Sequence, residues 1–401
     1  MIMKQTIYDI DSRDSRPGIA FLRVDYNVPL DRSTNEIIDD ARIAATIPTI
    51  RYLQELDARI ILCSHLGRPK GQVVPSLTMS QVAKRLELML NEPVKILTSF
   101  DGISIRGEVN TLGPKSVVML ENIRFVPHEE SNDPAFAKQL AESADIYVND
   151  AFGTAHRAHA STVGITHHLP AVAGLLLSRE IEMLEQVTLN PERPTAVLVG
   201  GAKLSDKIGI IENLMNKIDQ LLIGGGMAAP FIKAIGHGVG QSSYDVDQVS
   251  IASSLIDGAK SNNIDIVLPI DAIVADAFSN NAATKVVPIS EIPDGWILMD
   301  IGPQTISLFE SQLQNAKTVM WNGPMGVAEF TKFASGTREM AVSLSKRTKG
   351  ISIAGGGSTS QMIHDLGLTN SFTHVSTGGG ASLEFLEGKN LPAINALLDK
   401  P

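Results

Sequence analysis

Short runs of β-branched and apolar residues alternate along the chain with amphipathic stretches of helical period. This alternation is typical of parallel sheets whose strands are joined by crossover helices. We therefore predict an α/β fold with two Rossmann-like lobes, each a mostly parallel sheet flanked by helices. The predicted strands are GIAFLRVDY, ARIILCS, SVVMLE and DIYVND in the first half, and TAVLVGG, QLLIGGG, IDIVLPID, TVMWNGP, ISIAGGG and HVSTGGG in the second.

The length of the chain predicts two domains, because 401 residues exceed the size at which a single core stops growing. Between the two sets of strands, LLLSREIEMLEQVTLNPERP carries apolar residues at helical spacing and is ended by Pro191 and Pro194. We predict a hinge helix at residues 174–190, an N-terminal domain at residues 1–173 and a C-terminal domain at residues 191–385. The apolar residues of this helix are Leu177, Ile181, Leu184 and Val187.

Charge and cysteine content limit the class of partner and the compartment. The formal net charge of −10 argues against a general nucleic-acid binder, which needs a basic face. Cys63 is the only cysteine, so an intramolecular disulfide is impossible and a reducing cytoplasm fits. The chain starts without the apolar core of a signal peptide, and AVAGLLL falls far short of the roughly 20 residues that span a bilayer. We expect a cytoplasmic protein.

The ends of the predicted strands differ between the two halves. Ligands of parallel sheets bind outside the carboxyl ends of the strands. Guanidinium groups at these ends suit a compact polyanion, whereas bare backbone at helix starts suits the phosphates of a nucleotide. The first-half ends carry Asp25, Asn27, His65, Arg68, Arg124, Asp150, His156 and Arg157, and the second-half ends carry Lys203, Lys207 and glycine runs at residues 200–201, 224–226, 355–357 and 378–380.

Several first-half residues also have plain structural interpretations. RVDYNVP could be a polar strand exit that is closed by Pro29. Arg124 lies among apolar neighbours and needs an anionic partner, which could be internal, Glu121 for instance. His156 and His159 are three residues apart, but no cysteine or carboxylate accompanies them at ligand spacing, so we do not expect a zinc site.

The second-half motifs leave alternatives open. GGAKLSDKI does not have the sequence of a Walker A loop. It could be an ordinary turn after a strand with two solvent-exposed lysines, and this structural interpretation is more plausible for Lys207 than for Lys203. IGGGMAAP satisfies a dinucleotide fingerprint, which makes an NAD-dependent oxidoreductase the alternative enzyme class, although Pro230 should interrupt the following helix. In WNGPMGVAEF, Val327 could contact a base or ribose, while Glu329 accepts from hydroxyls.

Taken in order, these motifs resemble those of the phosphoglycerate kinase family. The resemblance covers nearly the whole chain, from RVDYNVP, SHLGRP, ENIRF and NDAFGTAHRAHAS through GGAKLSDKI, WNGPMGV and AGGGS to STGGGASLEFLEG. It implies an N-domain for 3-phosphoglycerate or 1,3-bisphosphoglycerate, a C-domain for ADP or ATP with Mg²⁺, and a tail at residues 386–401 that packs back on the N-domain. It also implies a monomeric kinase of glycolysis and gluconeogenesis whose partners are small molecules, not nucleic acid or membrane.

The site residues implied by the resemblance fall into overlapping sets, and no protein residue is assigned to the metal. The substrate set is Asp25, Tyr26, Asn27, Arg42, His65, Leu66, Gly67, Arg68, Arg124, His156 and Arg157. The nucleotide set is Lys203, Lys207, Gly225, Gly226, Asn322, Pro324, Val327, Glu329, Gly355, Gly356, Gly357, Ser358 and Thr359, with Gly378 and Gly379 behind the phosphates. The catalytic set is Arg42, Lys203, Gly357 and Gly379.

The implied reaction is reversible transfer of an acyl phosphate to ADP after hinge closure. It needs no general base, because the attacking oxygen is already ionised. Tyr26 stands where the family usually has Phe, and Ser358 stands where bacterial and eukaryotic members usually have a metal-supporting Asp. We expect Thr359 and Ser360 to cap the next helix or donate to phosphate. A non-catalytic nucleotide-binding or scaffolding protein is the second alternative, although it predicts losses among the basic residues, which are all present.

Overall fold

The computed structural model describes residues 3–10, 18–31 and 33–400. The chain divides into two compact units: one contains the described residues up to Glu182 and from Asn390 onward, and the other is Met183–Lys389. The opening stretch, on which the signal-peptide expectation rests, lies partly outside the described residues. Among the described residues, the helices are all too short or too polar to cross a bilayer.

The first unit is built on a six-stranded parallel sheet in the order β3-β4-β2-β1-β5-β6. The four strands that we predicted here are confirmed, and all four are buried in the middle of the sheet. Two strands were not predicted, because they are short edge strands whose sequences show little alternation. The strands are β1 (Ile19–Val24), β2 (Arg59–Cys63), β3 (Val94–Leu97), β4 (Val117–Leu120), β5 (Ile146–Asp150) and β6 (Ala171–Ala173).

The helices of the first unit follow local sequence signals. Asp101 and Asp133 each accept a hydrogen bond from an amide in the first turn of their helix, at 2.9 and 2.8 Å. Apolar residues at helical spacing, such as Ile50 and Leu53, face the core. The helices are α1 (Ala41–Ala44), α2 (Ile47–Glu55), α3 (Ser80–Leu90), α4 (Gly102–Asn110), α5 (Pro134–Ala141) and α6 (Leu175–Thr188).

Helix α6 occupies the stretch for which we predicted a joining helix. All four of its predicted core residues, Leu177, Ile181, Leu184 and Val187, are buried. The boundary between the two compact units falls inside this helix, after Glu182. A continuous helix therefore carries the chain from one unit into the other.

A buried carboxylate holds the first turn of α6. Asp150, at the end of β5, accepts a hydrogen bond from the amide of Leu177 at 3.0 Å. A Cβ at Gly174 would lie 2.2 Å from Asp150 Oδ1, so only glycine allows this approach. Burial raises the pKa of Asp150 to about 7, against the weaker opposing effect of its hydrogen bonds to Thr49 and Leu177. The start of α6 thus depends on a carboxyl group that ionises near neutrality.

Replacing Asp150 with Asn should remove a pH dependence from the free energy of unfolding. The folded-state pKa of about 7 lies above the usual value of 3.8, so the folded protein binds this proton more tightly. The resulting stabilisation is complete below about pH 4 and is lost as the pH rises through about 7. In urea unfolding, the wild type should lose about 1.4 kcal/mol per pH unit in this window relative to Asp150→Asn. A constant difference between the two proteins would contradict this assignment.

The second unit contains another six-stranded parallel sheet, in the order β15-β14-β13-β7-β8-β9. Five of the six strands that we predicted in the second half are confirmed in this sheet, and the sixth, IDIVLPID, is confirmed only in the part that forms β9. Its carboxyl edge presents the glycine runs. The strands are β7 (Thr195–Val199), β8 (Gln220–Ile223), β9 (Asp265–Val267), β13 (Thr318–Asn322), β14 (Ile351–Gly355) and β15 (His374–Val375).

A three-stranded antiparallel sheet in the second unit was not predicted. Its strands are β10 (Asp271–Ala275), β11 (Thr284–Pro288) and β12 (Ile297–Ile301), in the order β11-β10-β12. We read IDIVLPID as one strand, but the chain leaves β9 after Val267 and starts β10 at Asp271. Strand β11 is an exposed edge whose polar residues resemble a loop in sequence. This sheet supports the loop after β13.

The second unit's helices pack around a core that includes the buried side chains of Trp321 and Phe309. Pro230 does not interrupt α8 as we predicted. It lies in the first turn, where the amide that proline lacks has no intrahelical acceptor. The helices are α7 (Ile208–Leu214), α8 (Ala228–Ala234), α9 (Val246–Ser261), α10 (Pro303–Leu313), α11 (Ser335–Ser345), α12 (Gly357–Asp365) and α13 (Gly380–Leu386).

The tail returns to the first unit. It contains α14 (Pro392–Asn395) and belongs to that unit from Asn390 onward, four residues later than the predicted start at 386. The amide of Leu398 donates to the carbonyl of Ala171 at 2.9 Å, beside the edge strand β6. The tail therefore packs against the edge of the first unit's sheet that is formed by β6.

Candidate functional site

The predicted polar strand ends of the first unit meet along one edge of its sheet. Strands β4, β2, β1 and β5 are neighbours in that order. The loops that follow them therefore lie side by side at the carboxyl edge. These loops carry Asp25 and Asn27 after β1, His65, Leu66, Gly67 and Arg68 after β2, Arg124 after β4, and His156 and Arg157 after β5.

Hydrogen bonds tie these loops into one cluster. Arg42 Nη1, on α1, donates to Asp25 Oδ2 at 2.9 Å and to the carbonyl of Asn27 at 3.3 Å. The amide of Gly67 donates to Asn27 Oδ1 at 2.8 Å, and its carbonyl accepts from Arg124 Nη1 at 2.9 Å. Three loops that are remote in sequence thus hold each other at fixed spacing.

Arg124 is the most deeply buried cation among the predicted substrate residues. Its Nε lies 3.0 Å from Glu130 Oε1, whereas Glu121 accepts from the amides of Met79 and Asn122. Our suggestion that Glu121 partners Arg124 is therefore wrong. Within the described part of the chain, Arg124 Nη2 has no hydrogen-bond partner although it is buried. A buried unpaired guanidinium nitrogen favours an anionic ligand at this place.

The charge of this cluster comes from its arginines. Burial, with Arg157 nearby, lowers the pKa of Arg124 to about 10, so this group stays charged at neutral pH. Burial and the surrounding arginines lower the pKa of His65 well below its usual value, and lower that of His159 to about 3. Both histidines are therefore neutral, and they offer a hydrogen bond rather than a charge to a ligand.

The other predicted substrate residues occupy different depths. Arg68 is exposed, while Arg157 is half-buried and donates from Nε to His156 Nε2 at 3.2 Å. Leu66 is buried, with its amide 3.2 Å from Asn122 Oδ1. Tyr26 is also buried, and its hydroxyl lies 2.6 Å from Thr46 Oγ1. The hydroxyl by which Tyr26 departs from the family pattern is thus satisfied inside the core.

A buried ionic network beneath the cluster was missed from the sequence. Arg23 Nε donates to Ser161 Oγ at 2.9 Å, and Ser161 Oγ donates to Glu129 Oε1 at 2.6 Å. Both Arg23 and Glu129 are buried. An arginine inside the apolar run IAFLRV was the available signal, because a buried guanidinium requires a buried partner.

The second unit has a cavity of about 370 Å³ at the carboxyl edge of its parallel sheet. Turns after β7, β13 and β14 form its walls, together with the starts of α12 and α13. Predicted nucleotide residues in its lining are Lys203, Lys207, Asn322, Pro324, Gly356, Gly357, Ser358 and Gly379, and lining residues that we did not predict include Ala202, Asp206, Gly323, Gly380 and Leu383.

Two of the glycines permit close contact between the turns of this cavity. A Cβ at Gly200 would lie 2.1 Å from the carbonyl oxygen of Pro324. Gly323 has a φ of +102°, and a Cβ there would lie 2.2 Å from the carbonyl oxygen of Gly200. The turns after β7 and β13 can therefore pack backbone against backbone.

The two lysines have the reverse of their predicted exposure. Lys207 is buried and its Nζ donates to Asn322 Oδ1, whereas Lys203 is exposed. Burial lowers the pKa of Lys207 to about 8. Our interpretation of Lys207 as the more solvated lysine is therefore wrong, because its long-range contact with β13 was not visible in the local sequence.

The start of α12 faces the cavity with Gly357 and Ser358. Thr359 is buried and its hydroxyl has no hydrogen-bond partner among the described residues, while Ser360 Oγ donates to the carbonyl of Ser376 at 3.3 Å. Neither side chain caps α12, so the capping role that we gave as one of two possibilities is wrong, and donation to phosphate stays a prediction. The backbone amides at this helix start suit anionic oxygens.

Some predicted nucleotide residues lie outside the cavity lining. Val327 is half-buried and packs against a small apolar cluster that contains Met299 and Phe333, and Glu329 is exposed. Gly355 and Thr359 are buried, and Gly225 and Gly226 lie in the neighbouring turn after β8. The cavity thus brings together most of the predicted phosphate-facing residues, without Gly355, Thr359 and Gly378, but not those expected near the base and ribose.

The turn after β8 does not support a dinucleotide site. A Cβ at Gly224 would lie 2.6 Å from Met325 Sδ, and one at Gly225 would lie 2.7 Å from the amide of Gly201. The protein's own backbone and Met325 occupy the space beside these glycines. We therefore reject the NAD-dependent alternative for this motif.

Metal ligands are sparse around the cavity. Within the part of the chain that the structure describes, no three histidine, cysteine or acidic residues lie close enough to hold a metal ion. Asp206 is the single carboxylate residue in the cavity lining. A metal ion here would need oxygens from a ligand as well as from the protein.

Two parallel sheets, one ending in a cluster of arginine side chains and the other in glycine turns at helix starts, define a two-unit α/β phosphotransferase. The chain belongs to the phosphoglycerate kinase family, whose sequence model, described as phosphoglycerate kinase, matches residues 7–389. The family resemblance and the α/β fold that we predicted from the motifs are both confirmed.

Relatives and solved structures agree with this assignment. The chain is 48% identical over 397 residues to the phosphoglycerate kinase of Dictyoglomus turgidum, covering 99% of this chain and 100% of the relative. It is 50% identical to that of Gloeothece citriformis, covering 98% and 99%. The structure of phosphoglycerate kinase from Coxiella burnetii matches with a TM-score of 0.83 at 39% identity, covering 94% of this chain and 95% of that one. The enzyme from Pyrococcus horikoshii matches with a TM-score of 0.79 at 32% identity, covering 95% and 96%.

Proposed function

We propose that this protein catalyses reversible transfer of the acyl phosphate of 1,3-bisphosphoglycerate to ADP, which yields 3-phosphoglycerate and ATP. The family match over residues 7–389 carries this proposal. The family's reaction is phosphoryl transfer with a carboxyl group as acceptor. An arginine cluster in one unit and a glycine-lined cavity in the other supply the two kinds of anion site that the reaction needs.

The first unit binds the phosphoglycerate in this proposal. Arg124 Nη2, buried and without a hydrogen-bond partner among the described residues, supports a contact with the phosphate that is not transferred. Arg68 and Arg157 join it there. Asp25 and Asn27 orient the substrate, and neutral His65 contributes a hydrogen bond.

The second unit binds the nucleotide. Lys207 and the amides of Gly357 and Gly379 contact its phosphates at the cavity that these residues line. Val327 and Glu329 contact the base and ribose, as the family pattern implies. Asn322 and Pro324 line the same cavity and shape its floor.

Catalysis consists of alignment and charge neutralisation. The attacking oxygen is an ionised carboxylate or phosphate, so no group has to remove a proton. Arg42 and Lys203 neutralise the phosphoryl group in transit, with helix-start amides adding partial positive charge. Bending at α6 brings the two bound substrates together and excludes water.

Mg²⁺ enters with ADP or ATP in this proposal. When bound, it would supply positive charge that offsets the negative charge of the nucleotide phosphates. The cavity lining fits a metal held chiefly by nucleotide oxygens and water, because Asp206 is its single carboxylate residue. Ser358, at the start of α12, would contact it at most through water.

Ser358→Asp should therefore lower the Mg²⁺ concentration needed for half-maximal activity. A carboxylate at this position can ligate Mg²⁺ directly, whereas the serine hydroxyl is a weak ligand. Calorimetric titrations of ADP at graded Mg²⁺ concentrations should show the same shift without turnover. Ser360→Asp is the matched control, because it adds the same charge two residues later on α12, outside the cavity lining. Coinciding Mg²⁺ curves for Ser358→Asp and wild type would disprove the idea.

A coupled assay for ATP-dependent formation of 1,3-bisphosphoglycerate tests the proposed function. Turnover that needs both 3-phosphoglycerate and ATP is expected. A protein that binds nucleotide but shows no turnover would instead be a non-catalytic relative with the same fold.

We also propose that the enzyme acts as a monomer in the cytoplasm. Light scattering would measure its state of assembly.

A further inference from the structure

One loop supports two of the glycine turns at the carboxyl edge of the parallel sheet, those after β7 and β8. This loop, residues 322–327, begins at the last residue of β13 and accepts backbone hydrogen bonds from the turns after β7 and β8. The bonds run from Gly200 N to Asn322 O (3.0 Å), from Gly201 N to Pro324 O (2.9 Å) and from Gly225 N to Met325 O (2.9 Å). A shift of this loop would therefore move two walls of the cavity together, the turn after β7 and the loop itself, along with the neighbouring turn after β8.

Asp300, next to last in β12, lies directly against this support loop. It is buried, and its backbone forms a β-bridge with Gly326. A Cβ at Gly326 would lie 2.2 Å from Asp300 Oδ1, so the carboxylate touches the loop backbone. Asp300 does not line the cavity itself.

The same carboxylate fixes the start of α11. Its Oδ2 accepts from Ser335 Oγ and from the amide of Gly336, both at 2.8 Å. The first turn of α11 then returns to the support loop, because Thr337 Oγ1 accepts from the amide of Met325 at 3.0 Å. Asp300 thus acts on the loop both by direct contact and through α11.

We propose that Asp300 is a positioning residue for the nucleotide site, which holds residues 322–327 and hence the glycine turn after β7 in the geometry that binds a nucleoside diphosphate. The inference rests on the proposed function only for the identity of the ligand. The contacts that support it belong entirely to the second unit.

The contacts of Asp300 require a carboxylate. Oδ1 accepts from the amide of Ile301 at 2.9 Å, and Oδ2 accepts from two further donors. An asparagine would place an NH₂ group against one of these sets of donors and lose its hydrogen bonds. Asp300→Asn therefore disturbs both the loop contact and the α11 contact with almost no change in volume.

Asp271 provides a matched control in the same unit. It is also buried, and it accepts from first-turn amides of α10, Thr305 at 2.7 Å and Gln304 at 3.0 Å. A glycine, Gly302, likewise allows the close approach of its carboxylate. Its hydrogen bonds in the described part of the chain do not reach the support loop. Asp271→Asn should cost stability in the same way but leave the cavity in place.

The test is calorimetric titration of ADP with Mg²⁺ into wild type, Asp300→Asn and Asp271→Asn, with unfolding midpoints measured in parallel. We expect Asp300→Asn to raise the Kd for ADP by about 10-fold, the loss of roughly 1.4 kcal/mol. Asp271→Asn should change it by less than about twofold, although both variants unfold more easily. The Kd for 3-phosphoglycerate should be unchanged in both.

A second pair of variants tests the same role of the support loop if Asp300→Asn does not fold. Thr337→Val removes the hydroxyl that accepts from Met325 at nearly constant volume, and Thr337→Ser retains it. Only Thr337→Val should weaken ADP binding.

Three outcomes would overturn the inference. They are equal effects of Asp300→Asn and Asp271→Asn on the Kd for ADP, an unchanged Kd in Asp300→Asn, and absent ADP binding in the wild type. Wild-type protein that binds ADP but gives no turnover would defeat the proposed function alone.

Discussion

Arg42→Ala is expected to lower kcat by about 100-fold to 1000-fold, the usual cost of removing a preorganised group that stabilises transition-state charge. Arg42 projects from α1 toward Asp25 and the carbonyl of Asn27. In the proposed reaction its guanidinium neutralises the phosphoryl group in transit. Steady-state kinetics with both substrates saturating measures this effect.

The fold should tolerate this change. The side chain of Arg42 is 32% exposed, and partly exposed ion pairs contribute about 1 kcal/mol or less. The melting midpoint should therefore move by less than about 4 °C. Arg51→Ala is the matched control, since Arg51 also pairs with a carboxylate, Glu92, but lies on α2 away from the cluster. A near-normal kcat in Arg42→Ala, with an unchanged melting midpoint, would remove Arg42 from the catalytic set.

Lys207→Met is expected to raise the KM for ADP by about 10-fold to 100-fold, as the loss of a charge-assisted hydrogen bond predicts. The ammonium group is buried at the cavity, where it donates to Asn322. Methionine keeps most of the apolar volume and removes the charge. Initial-rate kinetics over a range of ADP concentrations measures the change.

The pH dependence of kcat/KM for ADP provides a second test of the role of Lys207. Burial lowers the pKa of Lys207 to about 8, so the ammonium charge is present below this pH and is lost above it. For the wild type, kcat/KM for ADP should therefore fall as the pH rises through about 8. Lys207→Met should lack this fall. Lys217→Met is the control, because Lys217 also donates to an asparagine, Asn213 at 3.0 Å, but lies outside the cavity lining. If Lys217→Met raises the KM as much, Lys207 has no special role.

Much of the fold could be predicted because its signals are local. Each central strand of the two parallel sheets is a short apolar run, and each run ends where polar residues or glycines begin. The strands β3, β6 and β11 were missed because edge strands of few residues are selected by their neighbours rather than by alternation. The antiparallel sheet was missed for a different reason, because its central strand β10 begins at Asp271, the last residue of the run IDIVLPID that we read as one strand.

The candidate site was predictable in its residue types but not in its pairings. Arg124 was identified from its apolar surroundings, yet its acidic partner is Glu130 and not Glu121. Lys207 was identified from its motif, yet its burial depends on Asn322, 115 residues away. Asp300 begins DIGP, a stretch that resembles the family, but we did not assign it a role, because its importance comes from contacts with Gly326 and α11.

The sequence by itself determined the α/β class, the family and the identity of the residues at the strand ends. Parallel strands place the residues that follow them at one edge, so their order along the chain already implies a shared site. Only the tertiary structure decided which charges are buried, which are paired and which loop supports the others. Burial and pairing depend on contacts between segments that are far apart in sequence, and those contacts exist only when the sheets and helices have packed.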